Sequence, residues 1–230
     1  MPRTIVIVGY GPGVSNAVAE RFGAEGFSCA LVARTAAKLE VGVAALEAKG
    51  VTAAAFAADA AHPAAIVTAL RDARARLGPI GAIHWNAYPG GEAGDLMAVE
   101  PAAIGKVFDV AVTGLVAAVQ EALSDLKADG RGAVLVTNGA FGELGPAMDG
   151  LAVRLNAMGL AVANAAKTKL AGLLSERLRG DGVFVGEVMI AGAVKGTGFD
   201  RGGPAIDPAV IAQKFWDLYQ ARAEIRARVS

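Results

Sequence analysis

Residues Thr4 to Gly26 read TIVIVGYGPGVSNAVAERFGAEG, and this stretch decides the fold. Thr4 to Val8 is a short β-branched run of the kind that forms a fully buried strand. Gly9, Gly11 and Gly13 follow at alternate positions. Val14, Val18, Ala19 and Phe22 then recur at helical spacing, and Gly26 ends the helix. A strand, a glycine turn and a helix together present free backbone N–H groups and a positive helix end to a phosphate. The turn is tight and a Cβ would block a pyrophosphate, so glycine is needed there.

The rest of the chain repeats the alternation. Strands are expected over about 28–33, 51–57, 80–85, 133–137 and 183–190. Helices are expected over about 36–49, 63–77, 101–127, 152–179 and 208–221. This order predicts one α/β domain over 1–230, a Rossmann-type doubly wound parallel sheet with helices on both faces. Ligands of such sheets lie beyond the carboxyl ends of the strands. The segments placed there are 9–15, 34–35, 58–60, 86–91, 138–144 and 191–199. The stretch from about 192 to 206 is rich in glycine and reads as a mobile substrate loop.

Composition narrows the class. The formal net charge is zero, which gives no electrostatic footprint for nucleic acid or a membrane surface. The single cysteine, Cys29, lies in an expected buried strand and fits a reducing, cytoplasmic setting. His84 reads as a core residue of a strand and His62 as a surface residue before a helix. No Cys/His cluster has metal-ligand spacing, so no metal is expected.

With these elements in place, the chain resembles the short-chain dehydrogenase/reductase superfamily over essentially its whole length. That superfamily's T-G-x-x-x-G-x-G motif falls on Val8, Gly9, Gly13 and Ser15, with Gly11 as an extra glycine. Ser15 replaces the last glycine, and its hydroxyl is free in principle to meet a phosphate. AERFGAEG at 19–26 and LVARTAAKLE at 31–40 match closely. Asp59 falls where members contact the adenine, and Asn86-Ala87 falls in the middle of an N-N-A-G motif. The resemblance implies a nicotinamide cofactor held by Gly9, Gly11, Gly13, Val14, Ser15, Arg34, Thr35, Asp59, Asn86, Ala87 and Lys167. Strand two ends in Ala33-Arg34 rather than an acidic residue. A guanidinium suits a 2′-phosphate, which favours NADP over NAD.

The resemblance also implies a catalytic Asn, Ser, Tyr and Lys. The Asn position reads Ala111 and the Ser position Gly139, and no tyrosine lies between Tyr88 and Tyr219. For the lysine, one alignment keeps Lys167 with Ala163 in place of Tyr, and an ungapped one places the site near Asn164. A replacement proton donor is needed for hydride transfer to a carbonyl. Lys167, Tyr88 and a water held by Asn138 are the catalytic candidates, with Glu143 and Asp149 also near the strand ends. Two readings follow, beside a third in which the chain is a scaffold that has also lost the cofactor. One is an NADP(H)-dependent oxidoreductase acting on a small carbonyl, alcohol or activated alkene. The other is an inactive cofactor-binding relative that acts as a sensor or partner subunit. Leu155, Leu160, Ala163, Leu170 and Leu174 offer an apolar face for a homodimer or homotetramer, and a single-chain mass in sedimentation would remove that expectation. Phe215, Trp216 and Tyr219 are expected to pack the last helix onto the loop after the sixth strand, or to form a substrate-pocket lid or a subunit contact.

Overall fold

The computed structural model describes residues 3–90 and 93–230. Strands β1 (Thr4–Val8), β2 (Ser28–Ala33), β3 (Ala53–Ala57), β4 (Ile80–Trp85), β5 (Ala133–Gly139) and β6 (Phe184–Ile190) alternate with helices. The helices between them are α1 (Val14–Gly23), α2 (Ala36–Glu47), α3 (Pro63–Leu77), α4 (Pro101–Phe108), α5 (Gly114–Ala128), α6 (Pro146–Arg154) and α7 (Met158–Leu178). After β6 come two-residue strands β7 (Ala193–Val194) and β8 (Ala205–Ile206), helix α8 (Pro208–Ala221) and strand β9 (Arg226–Val229). The main sheet has seven strands in the order β3-β2-β1-β4-β5-β6-β9, and every pairing is parallel. The doubly wound α/β fold expected from the alternation is what forms.

Both sheet faces are covered, which explains the continuous apolar strands. One face carries Ile5, Ile7, Leu31 and Leu135 against α1, α2 and α8. The other carries Val6, Ile83, Trp85, Val134 and Val136 against α3, α5 and α7. Helix α8 lies along α1, where Phe22 meets Trp216 and Tyr219 edge-on at ring distances of 5.1 and 5.5 Å. Trp216 and Tyr219 therefore pack on α1 and Phe215 on His84 of β4, and all three are buried, so they form no lid. Cys29 is buried, its thiol donates to Ala19 O, and burial pushes it up to about 12.

Four boundaries differ from the expectation. Strand β3 starts at Ala53 because the Val51 N–H is spent closing α2 on Leu46 O. The helical run Pro101–Ala128 widens into a π-segment at Asp109–Thr113. That run has a mean hydropathy of 1.8 and by length and composition alone could cross a membrane; here its residues Leu115, Ala118, Ala122 and Leu126 are buried in the core. The expected helix 152–179 is two helices. Asn156 takes a left-handed φ of 52° between them, a conformation asparagine tolerates better than most residues. Strand β9 was not expected at all. On α7, Ala163 is fully buried and Leu170 and Leu174 lean on the core, so the apolar groups left outside are Val162, Leu173 and, at the preceding break, Leu155.

The 192–206 stretch is folded back on itself by the β7–β8 bridge, Ala193 with Ala205 and Val194 with Ile206. Its Thr197 methyl reaches over the glycine turn, 2.5 Å from where a Cβ on Gly13 would stand.

Candidate active site

The carboxyl ends of β1, β2, β4, β5 and β6 converge on the cleft beyond the sheet. Gly9 has φ 82° and Gly13 has φ 92°, values that strain any residue with a Cβ. A Cβ on Gly9 would also lie 2.5 Å from the Ala87 backbone nitrogen, so the glycine lets the β1 and β4 ends touch. Asn86 secures that contact through its own side chain, which donates to Gly9 O at 3.1 Å. Gly11 has nothing within 4 Å of where its Cβ would be. Helix α1 begins at Val14 with no side-chain cap and no acidic residue in its first turn. Its first N–H groups lack intrahelical partners and its dipole is positive at that end. Open space over Gly11 and an uncapped helix end fit a phosphate.

Ser15 behaves differently from the expectation. It is fully buried; its hydroxyl accepts from the Gly11 N–H at 2.9 Å and donates to Gly11 O at 3.0 Å. It closes the turn from inside. Tyr10 also serves the turn. Its hydroxyl donates to Asn16 Oδ1 at 2.7 Å, and its ring fills the space above Gly42. Burial, helped by the Glu20 charge, pushes its pKa to about 12.

At the end of β2 and β3, Arg34, Ala57, Ala58, Asp59 and Ala65 line an open cavity of about 380 Å³. Arg34 and Thr35 are exposed, and among the described residues Arg34 forms no ion pair. Asp59 Oδ1 accepts from the Ala61 N–H at 3.0 Å, and His62 Nδ1 lies 3.6 Å from Oδ2. This set holds one free guanidinium beside a hollow walled by small side chains.

Under the cleft, between β5, β6 and α7, lies a buried polar cluster. Glu187 is fully buried. Its carboxylate accepts from Asn138 Nδ2 at 2.6 Å, Thr168 Oγ1 at 2.8 Å and Arg226 Nε at 2.7 Å. The Asn138 amide nitrogen also contacts Asn164 O and Thr168 Oγ1, each at 2.9 Å. Asn138 is thus turned into the interior. Lys167 is buried too, and its Nζ donates to Thr137 O at 3.0 Å. Burial lowers its pKa to about 8, against an opposing pull from the Glu187 charge. Glu143 is taken up by an ion pair with Arg228, and Asp149 is exposed in the first turn of α6.

Tyr88 stands at the mouth, 53% exposed, with its ring 5.8 Å from that of Phe199 on the 192–206 stretch. His84 is buried in the core, as read from the sequence, with Nε2 at 2.9 Å from Thr137 Oγ1 and its ring edge-on to Phe215. The sequence reading missed Glu187, although a lone acid in the apolar run FVGEVMI was the available signal.

A seven-stranded parallel sheet with a glycine turn at its first crossover defines a Rossmann-type α/β protein. The family model described as short chain dehydrogenase matches residues 3–150, well over half of the 230 residues, and the chain belongs to that family. A search of curated proteins finds no match. Among solved structures, L-sorbose reductase from Gluconobacter frateurii, complexed with NADPH and L-sorbose, is 20% identical with a TM-score of 0.86, covering 100% of this chain and 95% of its own. A metagenomic short-chain oxidoreductase in complex with NADP is 22% identical with a TM-score of 0.79, covering 99% and 95%. A short-chain dehydrogenase from Sphingobium yanoikuyae in complex with NADPH is also 22% identical with a TM-score of 0.79, covering 99% and 87%. At these identities the likeness shows the shared fold.

Proposed function

We propose that this short-chain oxidoreductase uses NADP(H) and acts on a small carbonyl, alcohol or activated alkene, with Tyr88 as a non-standard proton donor. The unpaired Arg34 beside the hollow of Ala57, Ala58, Asp59 and Ala65 carries the cofactor reading. A 2′-phosphate there would meet Arg34 and the neighbouring Thr35, while Asp59 faces the adenine. The pyrophosphate would rest on the open side of Gly11 and the α1 N-terminus, with Gly13 and Val14 shaping its approach. Asn86 and Ala87 hold the turn in register from β4. When bound, the cofactor supplies or accepts a hydride.

The chain's own groups then have separate tasks. Tyr88 and Phe199 flank the mouth of the cleft. The Tyr88 hydroxyl, exposed at the mouth, would give a proton to the oxygen as charge develops. Asn138 and Lys167 support from below: Asn138 holds Glu187, and Lys167 pins the β5 backbone at Thr137. The experiment is NADPH oxidation with a panel of aldehydes, ketones and enones. Tyr88→Phe should lower turnover by roughly 10²-fold, the lower end of what a general acid contributes. Unchanged turnover across pH would remove Tyr88 from that role.

A further inference from the structure

We infer that Asn164, through its side-chain carboxamide, is the group that holds the substrate oxygen; this rests on the cofactor reading above. Asn164 lies on α7 and is 2% exposed. Its backbone is fixed on both sides. Asn138 Nδ2 donates to its carbonyl at 2.9 Å. Gly142 lets α7 come close, since a Cβ there would lie 2.7 Å from Asn164 C and 2.8 Å from the Ala165 nitrogen.

Its side-chain amide, in contrast, makes no hydrogen bond among the described residues. A largely buried amide without a protein partner is suited to take a ligand as its partner. The amide is not sealed in. Among the described residues the fully enclosed side-chain polar atoms without a partner are His84 Nδ1 and Trp85 Nε1, so the polar atoms of Asn164 each keep a small accessible surface.

Gly139 shows where the amide points. It ends β5, paired with Ile190 at the carboxyl edge, and a Cβ on it would lie 2.7 Å from Asn164 Nδ2. The amide nitrogen therefore fills the space a side chain at position 139 would use. Gly139 is the position at which the family resemblance calls for a serine. A hydrogen-bond donor absent from β5 is present in the same space from α7.

A carboxamide suits both directions of the reaction. Nδ2 donates to a carbonyl oxygen, and Oδ1 accepts from an alcohol hydroxyl. In reduction, hydride from the reduced cofactor bonds to the carbonyl carbon and the C=O π pair moves onto oxygen. That oxygen takes a proton from Tyr88 or solvent. The cofactor leaves oxidised, and Asn164 makes and breaks no covalent bond.

The test uses the inert pair of NADP⁺ and acetophenone, in which both partners are oxidised and no turnover occurs. Calorimetry measures acetophenone binding to the wild-type NADP⁺ complex and to variants. Asn164→Ala should weaken acetophenone about tenfold, the loss of one net hydrogen bond, with NADP⁺ affinity unchanged. Asn164→Asp should weaken it at least as much, because a carboxylate repels the carbonyl oxygen. Gly139→Ser alone should also weaken it by crowding Asn164. Combined with Asn164→Ala, the same serine has room, returns a donor and should restore binding. Acetophenone binding that survives Asn164→Ala, or a wild-type NADP⁺ complex that takes up no acetophenone, overturns the inference. Failure of the wild type to bind NADP⁺ instead overturns the cofactor reading itself.

Discussion

Acidification from pH 7 to pH 3 is expected to cost this protein about 4 kcal/mol through His84 alone. The residue is fully buried, and burial lowers its pKa from the ordinary 6.5 to about 3. The neutral ring is held by Thr137 Oγ1 at Nε2 and packed on Phe215, with no acid paired to it among the described residues. In the unfolded chain the imidazole takes a proton near pH 6.5, whereas in the folded chain it does not until about pH 3. The unfolded state binds more protons across that window. Stability from this group is therefore complete above pH 6.5 and is lost as pH falls through the window. His84→Gln keeps an N–H for Thr137 and cannot titrate. Urea unfolding at stepped pH should show a flatter acid limb in the variant; parallel limbs would mean that the ring finds water or a charge partner in the folded state.

The second large effect belongs to Glu187. Glu187→Ala should lower stability by about 3–5 kcal/mol, the usual consequence of breaking a buried, hydrogen-bonded ion pair. Its two oxygens tie Asn138 on β5, Thr168 on α7 and Arg226 on β9. Removing them strands the Asn138 amide and the partly covered Arg226 guanidinium. Glu187→Gln keeps the shape and should cost less, because one neutral acceptor remains. Arg226→Ala should approach the cost of Glu187→Ala, and the double variant should cost less than the sum, since the two residues share one interaction. Additive losses in denaturant unfolding would show that the ion pair is not the source.

The same carboxylate shows why part of the architecture was hidden. The first crossover was legible because β-branched run, glycine turn and helix periodicity agree over Thr4 to Gly26. The position of Arg34, exposed just past β2, was legible because a charge at a strand end ends an apolar run. Strand β9, RARV, was not: it is a charged edge strand with only Val229 buried, and alternating arginines suggest a solvated tail. Its place depends on Glu187, 39 residues earlier, so no local window contains the reason. The break at Asn156 was hidden in the same way. It fits against Gly94, where a Cβ would lie 2.5 Å from Asn156 Nδ2. Ser15 and Asn138 were correctly placed near the cleft, but whether a side chain faces outward or inward is decided by partners distant in sequence. The Asn164 amide entered the sequence reading only as an alternative register for the family lysine. Its relation to Gly139 exists only once α7 is packed.

The most direct test of the account is calorimetric titration of the wild-type protein and Arg34→Ala with NADPH and with NADH. The account predicts wild-type binding of NADPH in the micromolar range with NADH about tenfold weaker or more, the value of a charge-assisted hydrogen bond. Arg34→Ala should erase most of that difference by weakening NADPH alone. Equal binding of both cofactors, or equal loss of both in the variant, would show that Arg34 does not read a 2′-phosphate. Binding of neither would contradict the account, leaving the glycine turn a purely architectural feature.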